Sequence, residues 1–248
     1  METTQITAQF VQVPHGSLSI AAYLAKPETP KPLPAIIVLQ EIFGINPHIQ
    51  DVTERFARLG YVAIAPALFQ RTAPNFQEGY TKEGLKIGRG YSQQTTAAEL
   101  LGDIQATIDY LKTENLVKEG AIGCLGFCFG GHVAYLAATL AAIKATASFY
   151  GAGITQRTPG GGDPTITHTP EIAGKIYTFF GAEDASIPLD QVAAIRTELE
   201  KCQIRHKVIV YPGASHGFFC DARSSYNPTA AAAAFEEVQQ LFDQELRS

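Results

Sequence analysis

Short apolar runs alternate with segments of helical pattern along most of this 248-residue chain, and that alternation narrows the possible folds more than any other feature. Ala35-Ile-Ile-Val-Leu39 holds no polar residue, which suits a strand covered on both faces. The pattern predicts strands over 9–13 and 17–25 about the His15-Gly16 turn, a Pro-rich break over Pro27–Pro34, and a strand over 35–39. It continues with helix 47–59 closed by Gly60, strand 61–65, a long segment 66–91, helix 93–113, strand 120–125 and helix 130–141. Strand 145–150, a Gly/Pro/Thr loop over 151–170, strand 175–180, helix 189–202, strand 206–211 and a final helix 228–246 complete it. Strand and helix in turn imply an α/β fold with a mostly parallel central sheet, helices on both faces and right-handed crossovers. No linker, charge shift or repeat divides the chain, so residues 1–248 are expected to form one domain.

Composition removes several functional classes. A hydrophobic fraction of 46% against 17% charged residues allows a real core. The net charge of −5 and the scattered Lys and Arg give no field for a phosphate backbone, so nucleic acid is not expected as a partner. No stretch approaches the ~20 apolar residues of a membrane span. Met1–Phe10 lacks a basic leader and an apolar centre, so it does not read as a secretory signal. Four cysteines, at 124, 128, 202 and 220, do not form a disulfide framework, and a reduced, cytoplasmic setting is expected. Cys124 and Cys128 lack the second pair that would complete a tetrahedral zinc site, so neither metal nor organic cofactor is expected.

The chemistry concentrates at Gly126-Phe-Cys128-Phe-Gly130-Gly131, between the apolar run Ala121–Leu125 and the helix-like His132–Ala138. A G-x-C-x-G turn between strand and helix is a nucleophile elbow with cysteine as the attacking group. Glycines two residues to either side let the helix pack against the strand despite the sharp turn. The start of the helix directs free amides and positive dipole at the sulfur, favouring a thiolate. The plainer reading is a glycine-rich turn holding an inert, buried cysteine.

A thiol nucleophile needs a base and an orienting acid, and on this topology they follow it in the chain, acid first. Asp184 lies just beyond the strand Lys175–Phe180, and His216 just beyond Lys207–Tyr211. Both fall at carboxyl ends of strands, where open α/β sheets gather ligands. Glu183 is a rival acid, and Asp184 has a simpler alternative as a helix cap. The loop Gln40–Asn46 after the first buried strand is placed to lend one oxyanion amide, from Ile42, with the second from Phe129. Glu41 stands beside that position, with a helix-dipole contact as its plainer role.

These segments resemble the dienelactone hydrolase, or carboxymethylenebutenolidase, family of the α/β-hydrolase fold. The resemblance is carried by Gln40-Glu-Ile-Phe-Gly44 with Asn46, the Gly60-Tyr61 strand entry, Gly126-x-Cys128-x-Gly130-Gly131, Gly181-x-x-Asp184 and Gly213-x-x-His216-x-Phe218. It implies a Cys128, His216, Asp184 triad with Glu41 as a fourth partner that holds the resting thiol until an anionic substrate displaces it. It also implies hydrolysis of a small lactone or carboxylic ester, dienelactone to maleylacetate, through a thioester and without a cofactor. One departure concerns the substrate: the family's lactonases place an arginine four residues after the histidine, where this chain has Cys220. Arg71, Arg89 and Arg223 are the candidates to grip a substrate carboxylate instead, and the segment 66–91 is long enough to cover the pocket. Alternatives are a thiol esterase acting on a neutral ester or thioester, and a catalytically silent binding protein. The partner expected is a small molecule, and the protein a monomer or small homo-oligomer.

Overall fold

A computed structural model describes residues 4–247; the start of the Met1–Phe10 segment and the last residue of the chain lie outside it. Eight strands form one sheet: β1 (Ile6–His15), β2 (Leu18–Pro27), β3 (Leu33–Leu39), β4 (Val62–Pro66), β5 (Val117–Phe127), β6 (Ile143–Phe149), β7 (Lys175–Gly181) and β8 (His206–Tyr211). Their spatial order is β1-β2-β4-β3-β5-β6-β7-β8. The first two pairings are antiparallel and the remaining strands run parallel. Between the strands lie α1 (Pro47–Arg58), α2 (Lys82–Ser92), α3 (Ala97–Thr113), α4 (Phe129–Ala137) and α5 (Leu189–Lys201), and α6 (Pro228–Leu246) closes the chain.

The apolar run of β3 is covered on both sides, and alternate residues serve different cores. Ile36 and Val38 join Phe56 of α1 and Phe242 of α6, while Ala35, Ile37 and Leu39 join Leu100, Ile104 and Ile108 of α3. The α/β expectation therefore holds, with helices on both faces.

Several boundaries differ from the sequence-based expectation for identifiable reasons. Helix 93–113 begins at Ala97, because Thr96 caps it and Glu99 returns the bond to the Thr96 amide, a reciprocal capping box. The segment 66–91 holds all but the last residue of α2, whose pattern is diluted by Gly84, Gly88 and Gly90. A 3-10 turn over Thr165–Glu171 ends the stretch read as a loop. Helix 130–141 stops after Ala137, and strand 145–150 gives way at Tyr150, whose φ of 37° lies in the left-handed region.

Strand order reverses between β3 and β5. From β3 the chain moves outward to β4, then returns through α2 and α3 to β5 on the other side, and continues to β8. The carboxyl ends of β3 and β5, adjacent through the Leu39–Gly126 pairing, bound the crevice where such sheets bind ligands. Among the described residues no helix is long and apolar enough to cross a membrane.

Candidate active site

β5 leads directly into Cys128, which has φ 55° and ψ −114°, a strained backbone for any residue with a Cβ. Its amide donates to the Phe149 carbonyl at 3.0 Å, and its own carbonyl accepts from His132 in the first turn of α4. The flanking glycines are required by close approach: a Cβ on Gly126 would stand 2.0 Å from the Gly130 carbonyl oxygen, and one on Gly130 2.3 Å from that of Leu39. Cys128 is thus held at the tip of the central strand, half-buried and lining a cavity of about 890 Å³.

His216, in the loop after β8, lines the same cavity. Its Nδ1 lies 2.8 Å from Oδ2 of Asp184, in the loop after β7. Asp184 is 4% exposed, and its other oxygen accepts from the Ser186 amide at 2.8 Å. Glu183 points to solvent, which resolves the choice of acid beside His216. Burial alone would lower the His216 pKa, but the charge and hydrogen bond of the neighbouring Cys128 sulfur, together with the Asp184 carboxylate, raise it to about 10. The three side chains form a line in which the imidazole sits between sulfur and carboxylate. Tyr150 packs edge-on against the His216 ring, with centroids 5.2 Å apart.

Ile42 and Phe129 also line the cavity, and among the described residues neither amide donates to a loop or turn carbonyl. Phe129 is the first residue of α4, where helix geometry leaves the amide free. Ile42 is positioned by α2: Gly88 lies so close that a Cβ there would be 2.1 Å from the Ile42 carbonyl oxygen.

Glu41 is fully buried, and its carboxylate is held from two sides. Arg223 donates to Oε1 at 2.8 Å and Tyr80 to Oε2 at 2.6 Å. Neither partner was assigned to Glu41 from sequence, because they lie 182 and 39 residues away. Cys220, also fully buried, contacts Tyr80, and burial pushes its thiol up to about 11.

The three arginine candidates separate. Arg89 of α2 and Arg223 line the cavity. Arg71 does not: it pairs with Asp103 and Glu99 of α3, and His15 joins the same Asp103 at 2.9 Å, tying the β1–β2 turn to that helix. Its charge is needed to neutralise a fully buried aspartate. The sequence reading missed Arg157, which lines the cavity from the loop after β6. That loop is fastened to α4 by His132, whose Nδ1 lies 2.9 Å from the Ala152 carbonyl and Nε2 2.7 Å from the Thr165 hydroxyl. Burial lowers the His132 pKa to about 4, so this ring is neutral: Nδ1–H donates to Ala152 and Nε2 accepts from Thr165.

A strained residue on a strand-to-helix elbow, at the switch point of a largely parallel sheet, with a histidine–carboxylate pair from later loops beside it, defines an α/β-hydrolase. Residues 20–246 match the dienelactone hydrolase family, to which the chain belongs, and it is accordingly a carboxylic ester hydrolase. It is 54% identical over 245 residues to a provisionally named carboxymethylenebutenolidase of Synechocystis, covering 99% of this chain and 100% of that one. It is 31% identical over 239 residues to a provisionally named 2-oxo-3-(5-oxofuran-2-ylidene)propanoate lactonase of Bradyrhizobium, covering 96% and 94%. The crystal structure of a provisionally named dienelactone hydrolase from Klebsiella pneumoniae is similar with a TM-score of 0.88 at 29% identity, covering 97% and 99%.

Proposed function

We propose that this hydrolase opens a small, negatively charged lactone or ester, of the dienelactone type that yields maleylacetate, through Cys128, His216 and Asp184. The observation that carries this reading is the His216 imidazole set between the Cys128 sulfur and the Asp184 carboxylate, facing a cavity that Arg89, Arg157 and Arg223 also line. Transfer of the thiol proton to His216 gives the thiolate–imidazolium pair that the raised His216 pKa favours, and the thiolate attacks the carbonyl carbon. The resulting oxyanion is met by the Ile42 and Phe129 amides. Collapse breaks the ring C–O bond, the leaving oxygen takes the proton from His216, and a thioester remains on Cys128. Water, deprotonated by His216, attacks the thioester; the acid is released and the thiol restored. None of these steps uses a cofactor.

Glu41 enters as the counter-ion of Arg223 and the acceptor of the Tyr80 hydroxyl. A carboxylate on the substrate competes for that guanidinium, so binding changes the charge around Glu41 and hence around the sulfur. A lactone bearing a carboxylate is the class named for the Bradyrhizobium relative.

Turnover of dienelactone and of neutral p-nitrophenyl acetate by the wild type, Cys128→Ala and Cys128→Ser tests the reading. Dienelactone is expected to be preferred, and both variants to lose at least ~10³-fold in kcat with circular dichroism unchanged. Mass spectrometry of quenched wild-type reactions should show an acyl adduct on the peptide containing Cys128. Turnover of the neutral ester alone would reassign the substrate to a thiol esterase, while full activity in Cys128→Ala would remove the nucleophile assignment.

A further inference from the structure

Beside the catalytic line, three buried side chains from three separate segments converge. Glu41 follows β3, His48 lies in the first turn of α1, and Cys220 lies in the loop beyond His216. Each offers one ligand atom, and these atoms all lie within 4.8 Å of one another. His48 is only 6% exposed, yet among the described residues neither ring nitrogen meets a hydrogen-bond partner. Its flanks are apolar, with Phe127 and Phe219 at centroid distances of 5.7 and 6.3 Å. A buried imidazole with both nitrogens unmatched demands an explanation, because desolvating such groups without compensation is unfavourable.

We infer that Glu41, His48 and Cys220 form a binding site for a thiophilic divalent cation of the zinc type. Thiolate, imidazole and carboxylate form a borderline-soft donor set that suits zinc better than calcium or magnesium, and three protein ligands leave a fourth position open. Bonds of about 2.0–2.3 Å separate tetrahedral ligand atoms by roughly 3.5 Å, so the 4.8 Å cluster closes by about 1 Å through side-chain rotation. On binding, Cys220 loses its proton to solvent, and the thiolate and carboxylate together balance the charge of the cation. Arg223 and the positive end of α1 oppose a cation here, so binding requires the guanidinium to give up its contact with Glu41.

The site shares Glu41 with Arg223, so cation and guanidinium compete for one carboxylate. If the proposed hydrolysis holds, occupancy therefore alters the arginine that faces the substrate. Binding itself does not depend on that reading.

The test uses full-length Cys128→Ser, which removes the neighbouring sulfur, stripped with chelator and titrated with Co²⁺ alone. The expected result is one equivalent bound, with a near-ultraviolet thiolate-to-cobalt charge-transfer band that Zn²⁺ abolishes by displacement. Adding Cys220→Ser should remove the band, and adding His48→Gln should weaken binding at least tenfold. Absence of stoichiometric binding, or a band indifferent to Cys220→Ser, would overturn the site. Should a second substitution prevent folding, zinc-edge absorption of Cys128→Ser decides: one sulfur ligand supports the site, and only nitrogen and oxygen ligands refute it. Because Cys128→Ser already lacks the proposed nucleophile, neither outcome bears on the hydrolysis.

Discussion

His216 has two neighbours that favour its protonated form, and both make its charge a matter of stability as well as of chemistry. A histidine whose pKa rises on folding, here from an unfolded value near ~6.5 to about 10, stabilises fully below the lower value and loses that contribution as pH climbs through the upper one. Urea unfolding between those limits is therefore expected to show stability falling with pH. The slope should be shallower in Cys128→Ser, which removes the largest of the influences raising the His216 pKa; equal slopes would detach His216 from the sulfur. Glu41 presents the complementary case. Arg223→Met would leave a fully buried carboxylate with Tyr80 as its remaining partner, and a loss of about 3–5 kcal/mol is expected by chemical denaturation. Glu41→Gln in the same background should recover part of it, because the unpaired charge, more than the lost contact, is what destabilises. Strictly additive effects would reject that explanation.

At the scale of elements, the cavity depends on how closely α2 and the loop after β3 approach. Aromatic packing fixes the segment before α2: Phe69 lies 5.5 Å from Phe129, and Phe76 lies 4.9 Å from Tyr91. Gly88 then sits on the Ile42 carbonyl with no room for a methyl group. Gly88→Ala is expected to displace the Ile42 amide and lower kcat/KM by roughly 10²-fold, since misplacement of about 1 Å can have that effect. Gly90, on the same helix, has open space around it. Gly90→Ala should leave kinetics unchanged and raise stability by up to about 1 kcal/mol through the unfolded chain. Parallel steady-state assays and thermal melts of the two variants would check this, and equal kinetic losses would deny Ile42 its positioning by α2. This helix was hidden in the sequence because its three glycines weaken propensity; what makes Gly88 necessary is a contact with residue 42, which no local pattern reveals.

For the molecule as a whole, the site is a rim feature carried by a core distant from it. Phe242 of α6 is fully buried and meets Phe56 of α1 at 5.7 Å and Tyr61, at the entry to β4, at 6.5 Å. Phe242→Ala should cost about 3–5 kcal/mol in thermal or urea unfolding while leaving KM unaltered; a change in KM would mean that the core and the rim are coupled. The same separation explains what could be read in advance. The α/β class, the elbow at Cys128 and the order Cys128, Asp184, His216 are written in local patterns: strand periodicity, glycines fixed by backbone sterics, and polar residues just past apolar runs. The distinction between Asp184 and Glu183, the engagement of Arg71 by Asp103, the arrival of Arg157, and the holding of Glu41 by Arg223 and Tyr80 were decided only by tertiary structure. Those are pairings of charges and polar groups between segments far apart in the chain. Their partners are set by which loops meet at the switch point of the sheet, so no window of sequence contains them.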